Sequence, residues 1–208
     1  MSRDKIAIMP TRPAPTLPVG EHVYLRAPRR SDAQAFLAAA QDSRRLHASW
    51  VAAPQTDAAF DAYVARFGRR RAAAPTHVGW LAVHRADETL VGVFNLSEIV
   101  RGAFQSAYLG YYGFRAHAGR GLMKEALGLA LGAAYGALGL HRVEVNVQPT
   151  NVRSIGLVEA VGFTEEGFSR RYLRIAGRWR DHRRFAMLAE DWQQLHRRRA
   201  SGAARSAR

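Results

Sequence analysis

The order of secondary-structure signals predicts a single α/β domain of the α+β type, a mixed sheet with helices packed on it. Three observations carry that expectation. Two helical segments precede the first long strands, strand signals recur between His77 and Met187, and a glycine-bearing loop joins a strand to a helix mid-chain. The 208 residues fit one domain, and 48% apolar composition is enough for a sizeable core.

Met1 to Gly20 is rich in proline and polar residues and reads as a flexible arm over residues 1–19. The domain follows over 20–193, opening with a short strand at Val23–Leu25. Ser31, with Gln34 three residues later, matches a capping box that starts a helix through Ala40. A second helix is expected over Asp57–Arg71, with Phe60, Tyr63, Val64 and Phe67 on one face. His77–Val83 and Leu90–Leu96 form a hairpin turning at Ala86-Asp87-Glu88, and Ala107–Tyr112 is the next strand. A helix follows from about Leu122 to Leu138, then a strand at Arg142–Val147 and a short helix at Asn151–Ala160. Phe168–Ile175 and Trp179–Met187 close the sheet as a hairpin turning at Ala176-Gly177. Residues 194–208 are basic and read as a disordered tail.

Cysteine is absent, which removes disulfides, thiolate metal sites and a cysteine nucleophile, and fits a cytoplasmic protein. Four prolines and no apolar run in the first twenty residues argue against a secretory signal. The longest uncharged apolar stretch, Ala126 to Leu140, is shorter than the ~20 residues that span a membrane, so it reads as a buried helix. The formal charge of +14 suggests an acidic partner: nucleic acid, a ribosomal surface or a phosphorylated cofactor. Coding bias accounts for it equally well, because only Lys5 and Lys124 are lysines.

The informative segment is Arg115-Ala116-His117-Ala118-Gly119-Arg120-Gly121-Leu122-Met123-Lys124, between a strand and a helix. Its glycines let backbone approach a ligand, and the unpaired amides of the first helical turn make an anion site, helped by Arg120 and Lys124. It is neither a Walker loop nor GxGxxG, since lysine stands at position 124. Taken alone, two glycines before a helix are more often an ordinary turn. The helix carries Gly128, Gly132 and Gly136, each costing about 1 kcal/mol against alanine. Close packing of its backbone on a sheet is the expected compensation. Asn151-Val152-Arg153-Ser154 and Val161-Gly162-Phe163 follow, and Asn151 suits a helix N-cap.

Together with Gly92 to Glu98, Tyr108 to Tyr111, Val161 to Gly167 and Tyr172 to His182, these motifs resemble the GNAT superfamily of N-acetyltransferases. The resemblance runs from Val23 to Trp192 and is nearest to the ribosomal-protein-alanine N-acetyltransferases. It implies a seven-stranded mixed sheet with helices on both faces, splayed in the middle to admit acetyl-coenzyme A. It further implies that the backbone of Tyr112, Gly113 and Phe114 pairs with the pantetheine arm. Amides of Ala118, Gly119, Arg120, Gly121, Leu122, Met123 and Lys124 would hold the pyrophosphate, and Asn151 would bond the pantetheine from the other side.

Acyl transfer from a thioester to an amine needs a base for the amine, donors for the oxyanion and a proton for the thiolate, but no enzyme nucleophile. Glu98 is the first candidate base, set against a solvated strand-end glutamate. The resemblance places a tyrosine acid seven residues after the asparagine. Here that position is Val158, so Ser154 becomes the substitute, set against a small helix residue under the cofactor. Arg171 stands where relatives carry an acid, and Ala118 where glutamine or arginine is usual. Tyr172 and Asp181 are expected at the peptide pocket, although Asp181 also suits a cross-strand partner for arginine. The remaining histidines lack metal-ligand spacing, and no metal is expected.

These residues imply acetyl-coenzyme A-dependent acetylation of a primary amine, first of all a protein N-terminus such as that of a ribosomal protein. A small amine (polyamine, amino acid or antibiotic) shares the same donor site and remains the alternative. A basic RNA-binding protein on a degenerate transferase fold is the second rival, without an aromatic-interleaved basic patch visible in the sequence. A weak ribosome or RNA contact through the basic surface is compatible with the first reading, as is a monomer or a homodimer, with no membrane partner.

Overall fold

The structure, a computed structural model, describes residues 19–48, 50–68 and 75–206, with side chains through residue 197. The expected N-terminal arm, apart from Val19, and the end of the second helix at Arg71 lie outside the described residues. Seven strands form one sheet: β1 (Val23–Arg26), β2 (Val78–His84), β3 (Leu90–Val100), β4 (Ser106–Gly113), β5 (Arg142–Val147), β6 (Thr164–Ile175) and β7 (Arg178–Leu188). Their order is β1-β2-β3-β4-β5-β7-β6, and only β4 and β5 run parallel.

The helices are α1 (Ala33–Asp42), α2 (Arg44–His47), α3 (Asp57–Phe67), α4 (Leu122–Tyr135), α5 (Val152–Val161) and α6 (Ala189–Ser206). One face of the sheet is covered by α1 and α3, whose Phe36, Ala40, Phe60 and Tyr63 pack on Leu81, Val83, Val93 and Phe114. The other face is covered by α4 and α5, which join Val143, Val145, Phe185 and Met187 in the larger core. Strand alternation produces this division. In β5, Val143, Val145 and Val147 are buried while the residues between them are not. Along α4, the three buried leucines Leu122, Leu127 and Leu131 each contribute roughly 2 kcal/mol of apolar burial.

Three local expectations are corrected. Asp32, not Ser31, stands at the N-cap position of the first helix, and its carboxylate makes no bond to that helix: it accepts the Arg29 amide and both guanidinium nitrogens of Arg26, each at 2.7 Å. Its negative charge suits a helix N-terminus while it pairs with the arginine. The glycines of α4 do not pack backbone against the sheet. A Cβ at Gly132 would meet open space, and one at Gly128 would touch only the Trp192 ring of α6. Finally, residues 194–206 continue α6 as helix where the sequence predicted a disordered tail. The start of α6 is anchored by Trp192, which is buried against the larger core.

The feature that positions the site is a parting of strands. β4 runs to Gly113 and β5 to Val147, yet their ladder holds only Ser106–Tyr108 against Arg142–Glu144. Beyond Tyr108 the two strands face a gap in the middle of the sheet.

Candidate functional site

At the wide end of this gap the chain turns from β4 into α4. Gly119 and Gly121 adopt φ of +77° and +78°, with open space where a Cβ would stand. Glycine enters this left-handed region without steric cost, and here it turns successive amides towards one point. The Ala118 amide bonds to Arg115 O at 3.1 Å and the Lys124 amide to Gly121 O at 3.0 Å. The free donors are therefore the amides of Gly119 through Met123, which have no backbone acceptor among the described residues. The expected cradle narrows accordingly: Ala118 and Lys124 do not contribute main-chain donors, and Lys124 adds a side-chain charge alone.

Behind the cradle lies a chain of polar contacts that sequence reasoning did not find. Thr89 Oγ1 donates to Asp87 Oδ1 at 2.6 Å, so the His117 Nε2–H must donate to Thr89 Oγ1 at 2.8 Å. That assignment leaves His117 Nδ1 unprotonated, free to accept from Arg120 at 3.1 Å. His117 is held neutral: burial lowers its pKa, and the Arg120 and His84 charges lower it further. Asp87 is pushed well below the usual carboxylate range by the Thr89 hydroxyl and by His84. The result is a directed series from Arg120 through His117 and Thr89 to Asp87.

Along the gap, the Phe114 amide bonds to Val91 O in the neighbouring strand at 2.8 Å. Backbone groups alternate sides along a strand, so those of Tyr111 and Gly113 face the gap and those of Tyr112 and Phe114 do not. Of the three residues expected to pair with a ligand arm, Gly113 alone is placed to do so, joined by Tyr111. His47, on α2, donates Nε2–H to Gly113 O at 2.9 Å, and its buried Nδ1 has no partner among the described residues.

On the far side of the gap, Asn151 caps α5 by accepting the Ser154 amide at 3.2 Å, which fixes the first turn. The Ser154 hydroxyl lies 2.7 Å from the Tyr111 hydroxyl, which also reaches Ser154 O at 3.2 Å. Burial pushes the Tyr111 phenol up to about 12, with the Ser154 contact opposing it. At neutral pH this phenol stays protonated and acts as a donor. Tyr111 escaped the sequence reading because it sits among Tyr108 and Tyr112, and only the register tells which ring turns towards α5.

The other predicted residues are not brought together. Glu98 sits in a β3 irregularity at φ +50°, with two thirds of its side chain exposed. Its nearest ionisable partner is His77 at 3.8 Å, and Arg66 meets the same His77 nitrogen at 2.8 Å. Tyr172 reaches the gap. Its ring meets His182 edge-on at 5.8 Å, and its pKa is pushed up to about 12 by burial and by a hydrogen bond with Tyr108. Asp181 accepts the Arg171 amide at 2.7 Å, beside a bulge in β6.

Residues 22–164 match the family model described as acetyltransferase (GNAT) domain. The chain belongs to this family. Among curated relatives, the probable N-acetyltransferase YjcK of Bacillus subtilis is 41% identical over 109 residues, 52% of this chain and 60% of its own. The ribosomal protein uS5-alanine N-acetyltransferase of Escherichia coli is 41% identical over 106 residues, 51% of this chain and 55% of its own. Spermidine N(1)-acetyltransferase of Vibrio cholerae is 30% identical over 106 residues, 51% of this chain and 61% of its own. The chain thus spans little more than half the length of these relatives. The solved structure of Mycobacterium smegmatis RimJ in complex with CoA-disulfide superposes with a TM-score of 0.77 at 29% identity, covering 86% of this chain and 89% of that one.

In this GNAT domain the apolar cluster under α1 and α3 takes no residue from β5 or β7, and polar side chains stand on the face of those strands opposite α4 and α5. Arg142 there is paired with Glu144 at 3.0 Å and Glu166 at 2.9 Å. Asn146, just past the last β4–β5 pair, has a buried side-chain oxygen with no partner among the described residues. An orphaned buried acceptor beside the gap is an unusual cost for a fold, and a ligand N–H would remove it. Among the described residues no cluster of three acidic or histidine side chains could hold a metal, and no helix is long and apolar enough to cross a membrane.

Proposed function

We propose that this GNAT domain transfers an acetyl group from acetyl-coenzyme A to a primary amine, and that the amine is a protein N-terminus, with ribosomal proteins as the substrate class. One observation carries the reading: a mid-sheet gap, lined by backbone of Tyr111 and Gly113, that opens directly onto five free amides. A diphosphate suits those amides, with Arg120 and Lys124 supplying charge, and an extended amide-bearing arm suits the strand edge.

In this mechanism Asn146 accepts an N–H of the incoming amine, while Glu98, directly or through water, takes the proton the amine sheds. The amine nitrogen forms its bond to the acetyl carbon, and the carbon–sulfur bond breaks. Ser154 Oγ, hydrogen-bonded to the protonated Tyr111 phenol, holds a proton at the departing sulfur. The bound acetyl donor supplies the activated thioester.

Charge favours a protein N-terminus over a polyamine. A polycation needs several free carboxylates, yet Glu144 and Glu166 already serve Arg142. The 41% identity to an enzyme named for ribosomal protein alanine supports the same side. The test is an acceptor screen, following acetyl-coenzyme A consumption with peptides beginning in alanine or serine against spermidine and other small amines. Turnover of small amines alone refutes the protein assignment. Glu98→Gln is expected to cut turnover at neutral pH, and full activity in that variant removes Glu98 as the base.

A further inference from the structure

The β6–β7 hairpin outruns its neighbour. β5 pairs with β7 only as far as Val147 against Arg183, whereas β6 and β7 continue together from Ser169–His182 to Ile175–Arg178. The last stretch is a two-stranded ribbon with no third strand among the described residues, an arrangement only marginally stable alone in water. Between Phe168 and Arg184 the chain carries seven arginines and one carboxylate. That carboxylate, Asp181, holds the bulge at Arg171. Arg170, Arg174, Arg178 and Arg180 form no ion pair among the described residues. Interleaved with them are exposed apolar side chains: Phe168, Leu173 and Trp179, the last 61% exposed. Trp179 lies directly opposite Arg174 in the register, so the two share one face of the ribbon, while its neighbours Arg178 and Arg180 line the other face.

An acidic protein would satisfy the arginines but leave a mostly exposed indole unused. A duplex would meet the charge with its bases already stacked. Single-stranded nucleic acid supplies both phosphates for the guanidinium groups and open base faces for Trp179 and Phe168. We propose that this ribbon is a docking surface for single-stranded RNA. The surface argument concerns a single strand; the choice of RNA over DNA rests on the ribosomal-protein acceptor proposed above. The basic-aromatic interleaving absent from the linear reading arises because the hairpin brings Arg174 and Trp179 together across the strands.

The experiment is fluorescence anisotropy of a labelled 12-nucleotide oligouridine with the full chain and no acetyl donor, so its failure leaves the transferase reading untouched. For about four phosphates contacted, the logarithm of the affinity should fall with that of salt concentration with a slope near about −3. Trp179→Ala should weaken binding at least about fivefold, as expected for loss of one stacked base. Arg174→Ala/Arg178→Ala should weaken it and flatten the salt slope by about 1.4. Arg29→Ala/Arg30→Ala removes the same charge beside β1, at the opposite edge of the sheet, and should leave affinity within about twofold. Equal losses in both double variants would mean diffuse charge attraction and overturn the proposal. So would a Trp179→Ala variant that binds like the parent, a polyglutamate peptide that competes as well as the RNA, or tighter binding of oligothymidine.

Discussion

Replacing His117 isolates what Arg120 gains from the series of contacts behind it. The wild-type arrangement needs His117 neutral, because Nε2–H is given to Thr89 and Nδ1 must accept from Arg120. A second proton would sit on Nδ1 facing the guanidinium, with the His84 ring 5.2 Å away adding a further potential cation. The carboxylates facing the same cluster are Asp87, through Thr89, and Glu125 on the first turn of α4, which is engaged by His22. A sheltered hydrogen bond to a charged group contributes about 1.5–3 kcal/mol. Arg120 is exposed, so the loss here is about 1 kcal/mol, equivalent to about a fivefold weakening. The folded pKa of His117 lies below 6.5. Folding therefore favours the neutral form: its contribution is complete above 6.5 and is lost as pH falls through the folded value. Calorimetric titration of acetyl-coenzyme A between about pH 5.5 and 8 should show affinity declining on the acid side. His117→Asn keeps an acceptor for Arg120 but cannot titrate, so its affinity should be level across that range. His117→Phe should be about fivefold weaker throughout, with turnover at saturating donor unchanged. A His117→Asn variant that reproduces the wild-type acid limb would refute the assignment.

Ser154→Ala should lower kcat by about a hundredfold, and Tyr111→Phe by about tenfold, the larger loss falling on the hydroxyl to which we assign the proton for the departing sulfur. Steady-state release of free thiol measures both, and neither should raise the acceptor KM. Two glycines should respond with opposite signs in thermal denaturation. Gly132→Ala places a methyl in open space within a helix and should raise stability by about 1 kcal/mol, about 2–4 °C in Tm. Gly162→Ala forces a side chain into φ +110° with Leu195 Cδ1 only 2.6 Å from the new Cβ, and should lose roughly 2 kcal/mol.

The parts of the fold legible in the sequence are those governed by local periodicity. β5 was readable because Val143, Val145 and Val147 alternate with polar residues, and α5 because Asn151 is a strong cap before an apolar helical face. The turn at Ala176-Gly177 was readable because both residues adopt positive φ, which the hairpin twist requires. Features set by long-range pairing were not. Asp32 takes the N-cap position with its carboxylate turned to Arg26, six residues back on a strand, and His117 acquires its contacts from Thr89, 28 residues earlier. Asp181 looked available until the β6 bulge turned the Arg171 amide onto it.

The same distinction explains the acid. Val158 is fully buried in the larger core, one helical turn beyond Ser154 on the same face of α5. A tyrosine there would have to enter a close-packed interior, where added volume costs about 1–3 kcal/mol. It would also reach towards the side of α5 where the Tyr111 hydroxyl already meets Ser154, its ring stacked with Phe94 at 5.8 Å. The valine and the strand tyrosine are therefore complementary: a small residue on the helix leaves room for a phenol arriving from β4. A sequence scan that asks only for a tyrosine at the helix position finds a missing donor. The folded chain presents the Tyr111 phenol to the same helix from across the gap, 2.7 Å from the Ser154 hydroxyl, and it is to this pair that we assign proton delivery.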